Sequence, residues 1–274
     1  MKWVLQALVL VAFAAGQAGA AVIAGNWCNT ANVADPPAGL QLSNYWSDLT
    51  VPNGFDANAI GTTGVNFATG GAAGALKYSD GSDTPGAFQA NWNGDDMDTN
   101  DEANRPIPPA TLGAEIDDGH DQMMAGFLWV GNGNTLTLSF SGMTAVMTDV
   151  GGDYYDVYLY IDADEEANAS EWELTDGTTA YYGQDDATFV EQHTGPVGDL
   201  SDFVQVANTV SGTYQSGNYV LFEGLNTDTV SFSLTSTNAA DIGITGFEIF
   251  VVPEPASALL FGLVGVIALR RRKG

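Results

Sequence analysis

Residues 135–252 read as a succession of short two-faced strands, and this pattern restricts the fold more than any other feature of the chain. In TLTLSFSG (135–142), Leu136, Leu138 and Phe140 share one face while threonine and serine hold the other. YYDVYLYI (154–161) puts Tyr155, Val157, Leu159 and Ile161 on one side in the same way. DFVQVANTV (202–210), NYVLFEGL (218–225), DTVSFSLTS (228–236) and DIGITGFEIFVV (241–252) continue the theme. A period of two, carried by β-branched and aromatic residues and cut by Gly, Asn and Asp, specifies antiparallel sheet with one wet face. No stretch carries a long helical period. The expectation is an all-β fold: a single antiparallel β-sandwich, jelly-roll-like, spanning residues 21–252. The N-terminal half is less regular, with short strands expected around 65–67 and 76–78 and a long polar insertion at 91–122.

The polar surface of this body is acidic. Between residues 22 and 252 only Lys77 and Arg105 face 33 carboxylates, all of the chain's 34 acids but Glu254, a net of −31. Nucleic-acid binding rests on Lys and Arg neutralising phosphates, so a nucleic-acid partner is excluded. Cations and a saline medium suit such a surface. Cys28 is the only cysteine, so no intrachain disulfide forms and the core must hold the fold.

Both ends stand apart from the body. MKWVLQALVLVAFAAGQAGAAV opens with Lys2, an apolar run from Val4 to Ala15, and an A-x-A site at Ala18–Ala20. This is the layout of a secretory signal peptide, residues 1–20, cut after Ala20. At the other end, residues 256–269 are free of charge. As a transmembrane helix they reach about 21 Å at ~1.5 Å per residue, short of the ~30 Å hydrocarbon core. The following Arg270, Arg271, Arg272 and Lys273 keep that tip cytoplasmic and the body outside. Pro253-Glu254-Pro255 precedes the apolar run and is held extended by its prolines.

Pro-Glu-Pro, a short apolar helix and an Arg-rich tip together resemble the PEP-CTERM sorting signal of Gram-negative bacteria, matched by residues 253–274. That resemblance implies recognition by an exosortase-type transpeptidase, removal of the tail, and transfer from the inner membrane to the cell surface or extracellular matrix. The strand order over residues 135–251 is also similar to galactose-binding-like and carbohydrate-binding jelly rolls.

Two sets of residues are candidates for binding. In DADEEANASEWE (162–173), Asp162, Asp164, Glu166 and Glu173 fall at positions 1, 3, 5 and 12 of an EF-hand-like loop. Calcium takes hard oxygens at such spacing. Ala167 stands where that loop requires glycine, which points to a looser loop between strands, with calcium as the expected cofactor. Trp46 and Trp92 lie in SNYWSD and QANWNGDD, where an aromatic face beside Asn and Asp suits a sugar ring. His120 and His193 are too few for a three-histidine zinc site, and no GxSxG elbow or phosphate loop occurs. No pair of carboxylates is singled out for glycoside hydrolysis. The chain is therefore expected to be a non-enzymatic, structural or adhesive surface protein with extracellular polysaccharide as partner. A polysaccharide-acting hydrolase and a matrix component without a ligand are the alternatives.

Overall fold

A computed structural model describes residues 21–26, 47–48, 67–69, 76–94, 96–98, 127–131, 133–162, 170–184, 203–238 and 242–253. These residues form two seven-stranded sheets and one short helix. Sheet I is built on β14 (Ile242–Pro253), a strand of 12 residues. On one side β14 pairs with β8 (Gly152–Asp162), and β8 with β12 (Tyr219–Leu225). On the other side the C-terminal part of β14 pairs with β1 (Ala21–Asn26), Ala21 opposite Val251. The N-terminal part pairs with β6 (Phe127–Val130), Ile242 opposite Val130. β2 (Ser47–Asp48) and β5 (Asp96–Asp98) extend β1 and β6 outward.

Sheet II runs in the order β11 (Gln215–Ser216), β10 (Ala180–Gln184), β9 (Glu171–Thr175), β13 (Thr229–Ser236), β7 (Thr135–Ser141), β4 (Gln89–Asn93), β3 (Phe67–Thr69). The apolar positions read from the sequence form the interface between the sheets. Leu136, Leu138 and Phe140 of β7 are fully buried, as are Tyr155, Val157 and Leu159 of β8. Aromatic rings join the layers: Phe140 meets Phe247 edge-on at 4.6 Å, and Phe222 meets Phe232 at 4.7 Å. Such contacts add to the burial of area that drives the two sheets together.

The structure departs from the expected sandwich in four places. Two pairings, β1 with β2 and β10 with β11, are parallel, so the sheets are not purely antiparallel. An eight-residue helix, α1 (Met143–Val150), follows β7 and crosses to the start of β8. It buries Met143, Val146 and Met147, a single apolar patch too short to show a helical period. Its entry depends on Gly142 at φ +77°, where a Cβ would lie 2.2 Å from the Ala87 carbonyl oxygen. Residues 203–210, expected as a strand, make one parallel bridge, Gln205 to Tyr219. Isolated backbone bonds, Val206 N–H to the Tyr219 carbonyl and Asn218 N–H to the Val204 carbonyl, hold this segment together with side chains: Val204 N–H donates to Asn218 Oδ1 and Ala207 N–H to Gln215 Oε1. Finally, β14 runs one residue past the expected end of the body, so Pro253 belongs to the sheet.

The two ends of the sandwich differ. β14 and β13 follow from the registers: Pro253, Gly152, Ala21, Ser141, Thr229 and α1 lie at one end, hereafter the tail end. Asp162, Thr135, Ser236 and Ile242 lie at the other. Because Phe140 touches rings from both sheets, Phe140→Ala is expected to cost about 3–5 kcal/mol. That is a large part of the ~5–15 kcal/mol typical of a domain. Urea unfolding of the exported body should show a much lower midpoint with an unchanged slope.

Candidate functional site

The residues singled out by sequence fall in different parts of this frame. Asp162 ends β8, is buried (7% exposed), and lies opposite Gly243. Glu173 lies in β9 of the other sheet, between buried Trp172 and Leu174, so its side chain takes the outer face of sheet II. Sheets stacked about 10 Å apart separate these two carboxylates, and Glu173 does not complete a loop site with Asp162. Asp164 and Glu166 lie outside the described residues. Among the described residues no group of three metal-ligating side chains comes together.

Trp46 also lies outside the described residues. Trp92 is in the core, 2% exposed on the inward face of β4. A sugar needs an open ring face, so Trp92 is a packing residue. Trp172 is likewise fully buried. Its ring occupies the space above Gly183, its cross-strand partner, where a Cβ would fall 2.1 Å from the ring. The tryptophans were legible as aromatic residues beside turns; which strand face each would take was not.

What the sequence did not single out is the outer face of sheet II. Alternation places the polar positions of β4, β7 and β13 there, and the registers align them in rows. Asn91, Ser139 and Ser231 form one row, with Gln89, Ser141 and Thr229 beside it. Asn93, Thr137 and Ser233 form the next row, which Thr175 of β9 extends. Rows stand about 6.8 Å apart along the strands and ~4.8 Å apart between strands. All these side chains are half-buried or exposed, and none on the three strands is charged. Hydroxyls and amides here meet each other and the backbone: Thr135 and Thr235 share a hydrogen bond of 2.8 Å, and Ser139 Oγ donates to the Asn91 carbonyl at 3.3 Å. The clue in the sequence was the Ser/Thr half of TLTLSFS and TVSFSLTS; the alignment of the two into rows needs the register.

The outer face of sheet I is different. Tyr160 and Glu248 are fully buried there, with the Tyr160 hydroxyl donating to Glu248 Oε2 at 2.5 Å. Phe203 lies over Tyr160 at 5.4 Å between ring centres. This face is covered and offers no open surface at these residues.

An open groove of about 710 Å³ lies at the tail end, lined by Pro85, Gln89, Ser141, Thr144, Asp149 and Asp228 among others. Both carboxylates hold fixed donors. Tyr78 O–H donates to Asp149 Oδ2 at 2.9 Å, and Thr144 N–H at the start of α1 donates to Asp228 Oδ1 at 3.0 Å. The latter bond and its neighbours keep the Asp228 carboxyl below the usual range, while burial and Asp149 push the Tyr78 hydroxyl up. A depressed carboxyl contributes stability above its unfolded value, and that contribution is lost as pH falls through the folded one. Asp228→Asn is therefore expected to lower the Tm at pH 7 and to shrink the gap between variant and parent as pH falls below about 4. Melting curves between pH 7 and pH 3 check this.

Pro253 closes β14 opposite Gly152. Glu254, Pro255, the run 256–269 and the Arg270–Lys273 tip lie outside the described residues; among those described, no helix is long and apolar enough to cross a membrane. The model of the PEP-CTERM protein-sorting motif matches residues 251–273. Comparison with curated proteins finds no match. The motif makes this an exported, membrane-transiting substrate of an exosortase.

Proposed function

We propose that the processed chain is a cell-surface or extracellular-matrix protein of a Gram-negative bacterium. It is non-catalytic and adheres to neutral polysaccharide through the outer face of sheet II. One observation carries this reading: in a chain of net charge −27, the outer positions of β4, β7 and β13 hold only Ser, Thr, Asn and Gln. Hydroxyls and amides both donate and accept, which suits a polymer whose surface is hydroxyl. The uncharged patch of β4, β7 and β13 selects against charged polymers, and acidic neighbours such as Glu173 repel anionic ones. Parallel rows of polar side chains fit an extended polymer, in place of the ring stacking expected at Trp92. The groove carboxylates favour binding over hydrolysis, because Asp149 and Asp228 are each committed to a structural donor. Calcium keeps a part in this proposal as a stabiliser of the acidic loop that begins at Asp162, remote from the tail end.

Retardation of the purified body, residues 21–253, in gels cast with neutral or anionic polysaccharide tests the reading. Neutral polymer should retard it and anionic polymer should not. Ser231→Asp, which places a charge at the centre of the face, should weaken binding at least tenfold, about 1.4 kcal/mol, with little change in Tm. Repeating the gels with calcium and with chelator reads the contribution of the ion. No retardation by any neutral polymer would leave a matrix component without a ligand.

A further inference from the structure

The sorting motif begins inside the folded domain. Its matched stretch starts at residue 251, yet Val251 is fully buried and pairs with Ala21 on one side and Tyr155 on the other. Val252 pairs with Tyr154, and Pro253 with Gly152. Gly152 makes the close approach possible, since a Cβ there would lie 2.6 Å from Val251 Cγ1. Pro253 thus does not open a free linker: it continues the central strand of a sheet.

Two residues, Glu254 and Pro255, separate Pro253 from the apolar run that starts at Ala256, and the three steps from Pro253 to Ala256 span at most about 11 Å. An enzyme working on this stretch at the membrane therefore meets the end of sheet I. The N-terminal segment leaves from the same place. β1 and β14 are antiparallel with Ala21 opposite Val251, so the segment ending at Ala20 and the segment starting at Glu254 depart from neighbouring strands. Both connections to the ends of the chain therefore lie at the tail end of the sandwich.

We infer that the end of sheet I formed by Ala21, Gly152 and Pro253 is the platform on which the sorting enzyme works, and that this enzyme takes the folded domain as substrate and cuts C-terminal to Pro253. The step breaks one peptide bond. The acyl carbon of the retained chain passes to water, or to an amine of an acceptor. The released tail takes up the displaced proton on its new amine. Cutting at Val251 or Val252 would instead require the strand to leave both neighbours and expose Val251, because an enzyme needs its scissile segment free of other pairing. The inference depends on the sorting motif and not on polysaccharide binding.

Two measurements on the full chain in its native host decide it. The first is the mass of the C-terminal peptide of the processed protein. The second uses Val22→Cys with Phe250→Cys, which lie opposite each other in the β1–β14 register. The Cα spacing of such partners, about 4.5–5.5 Å, falls in the disulfide range, and export places the pair in an oxidising compartment. The expected result is a mature chain ending at Pro253 or beyond, both in the parent and in the cross-linked variant, with equal fractions processed. A mature chain ending at or before Val252 would overturn the inference. So would accumulation of cross-linked precursor while the reduced form is processed. If the variant does not accumulate, the parent's C-terminal mass decides alone.

Discussion

The described fold hangs on β14. It is the longest strand described, it pairs with β8 from Gly243 to Pro253, and two other strands, β1 and β6, share its opposite edge. Its inward side chains Phe247, Ile249 and Val251 are fully buried, and Phe247 reaches across to Phe140 of the facing sheet. No disulfide assists, since the chain has one cysteine. Pairing on both edges satisfies the backbone groups of a strand that has no water near it, and the apolar area beneath supplies the driving force. Remove β14 and sheet I loses the strand that joins its two halves.

Placing that strand last in the body has a consequence for export. Sheet I is complete only when residues 242–253 are available, after nearly all of the chain has emerged. Non-local pairing of this kind is slow compared with helix formation. The sorting motif starts on the strand that finishes the sheet, so the fold and the motif share residues 251–253. The end at Asp162 and Ile242 points away from the start of the motif.

Much of the C-terminal half was legible as sequence because period-two alternation reports directly which side chains face the core. Leu136, Leu138, Phe140, Val157 and Leu159 all lie where alternation puts them. The pattern failed where alternation does not decide the outcome. Val204 and Val206 alternate with polar neighbours, yet Val204 is exposed and the segment is held by isolated backbone bonds and by the Asn218 and Gln215 side chains, partners that no local pattern reveals. Helix α1 escaped because eight residues hold two turns, and it depends on Gly142 and on Asp228 from a turn 84 residues away. The candidate sites were less legible still. Asp162 and Glu173 match a loop spacing in one dimension, but the chain passes from one sheet to the other between them. Trp92 looked like a surface aromatic because its neighbours are polar; those neighbours occupy the outer face of β4 while the indole fills the inner one. The uncharged face is visible only when β4, β7 and β13 are set side by side.

Hydrogen exchange of the backbone amides in purified residues 21–255 tests most directly the claim that the sorting motif starts within the fold. Core strands open only with the whole domain, whereas fraying ends open at almost no cost. Amides of β14 through Val252 are expected to be protected as strongly as those of β8. Exchange across 249–252 as fast as at a free terminus would contradict it, and would make the end of β14 a loose linker.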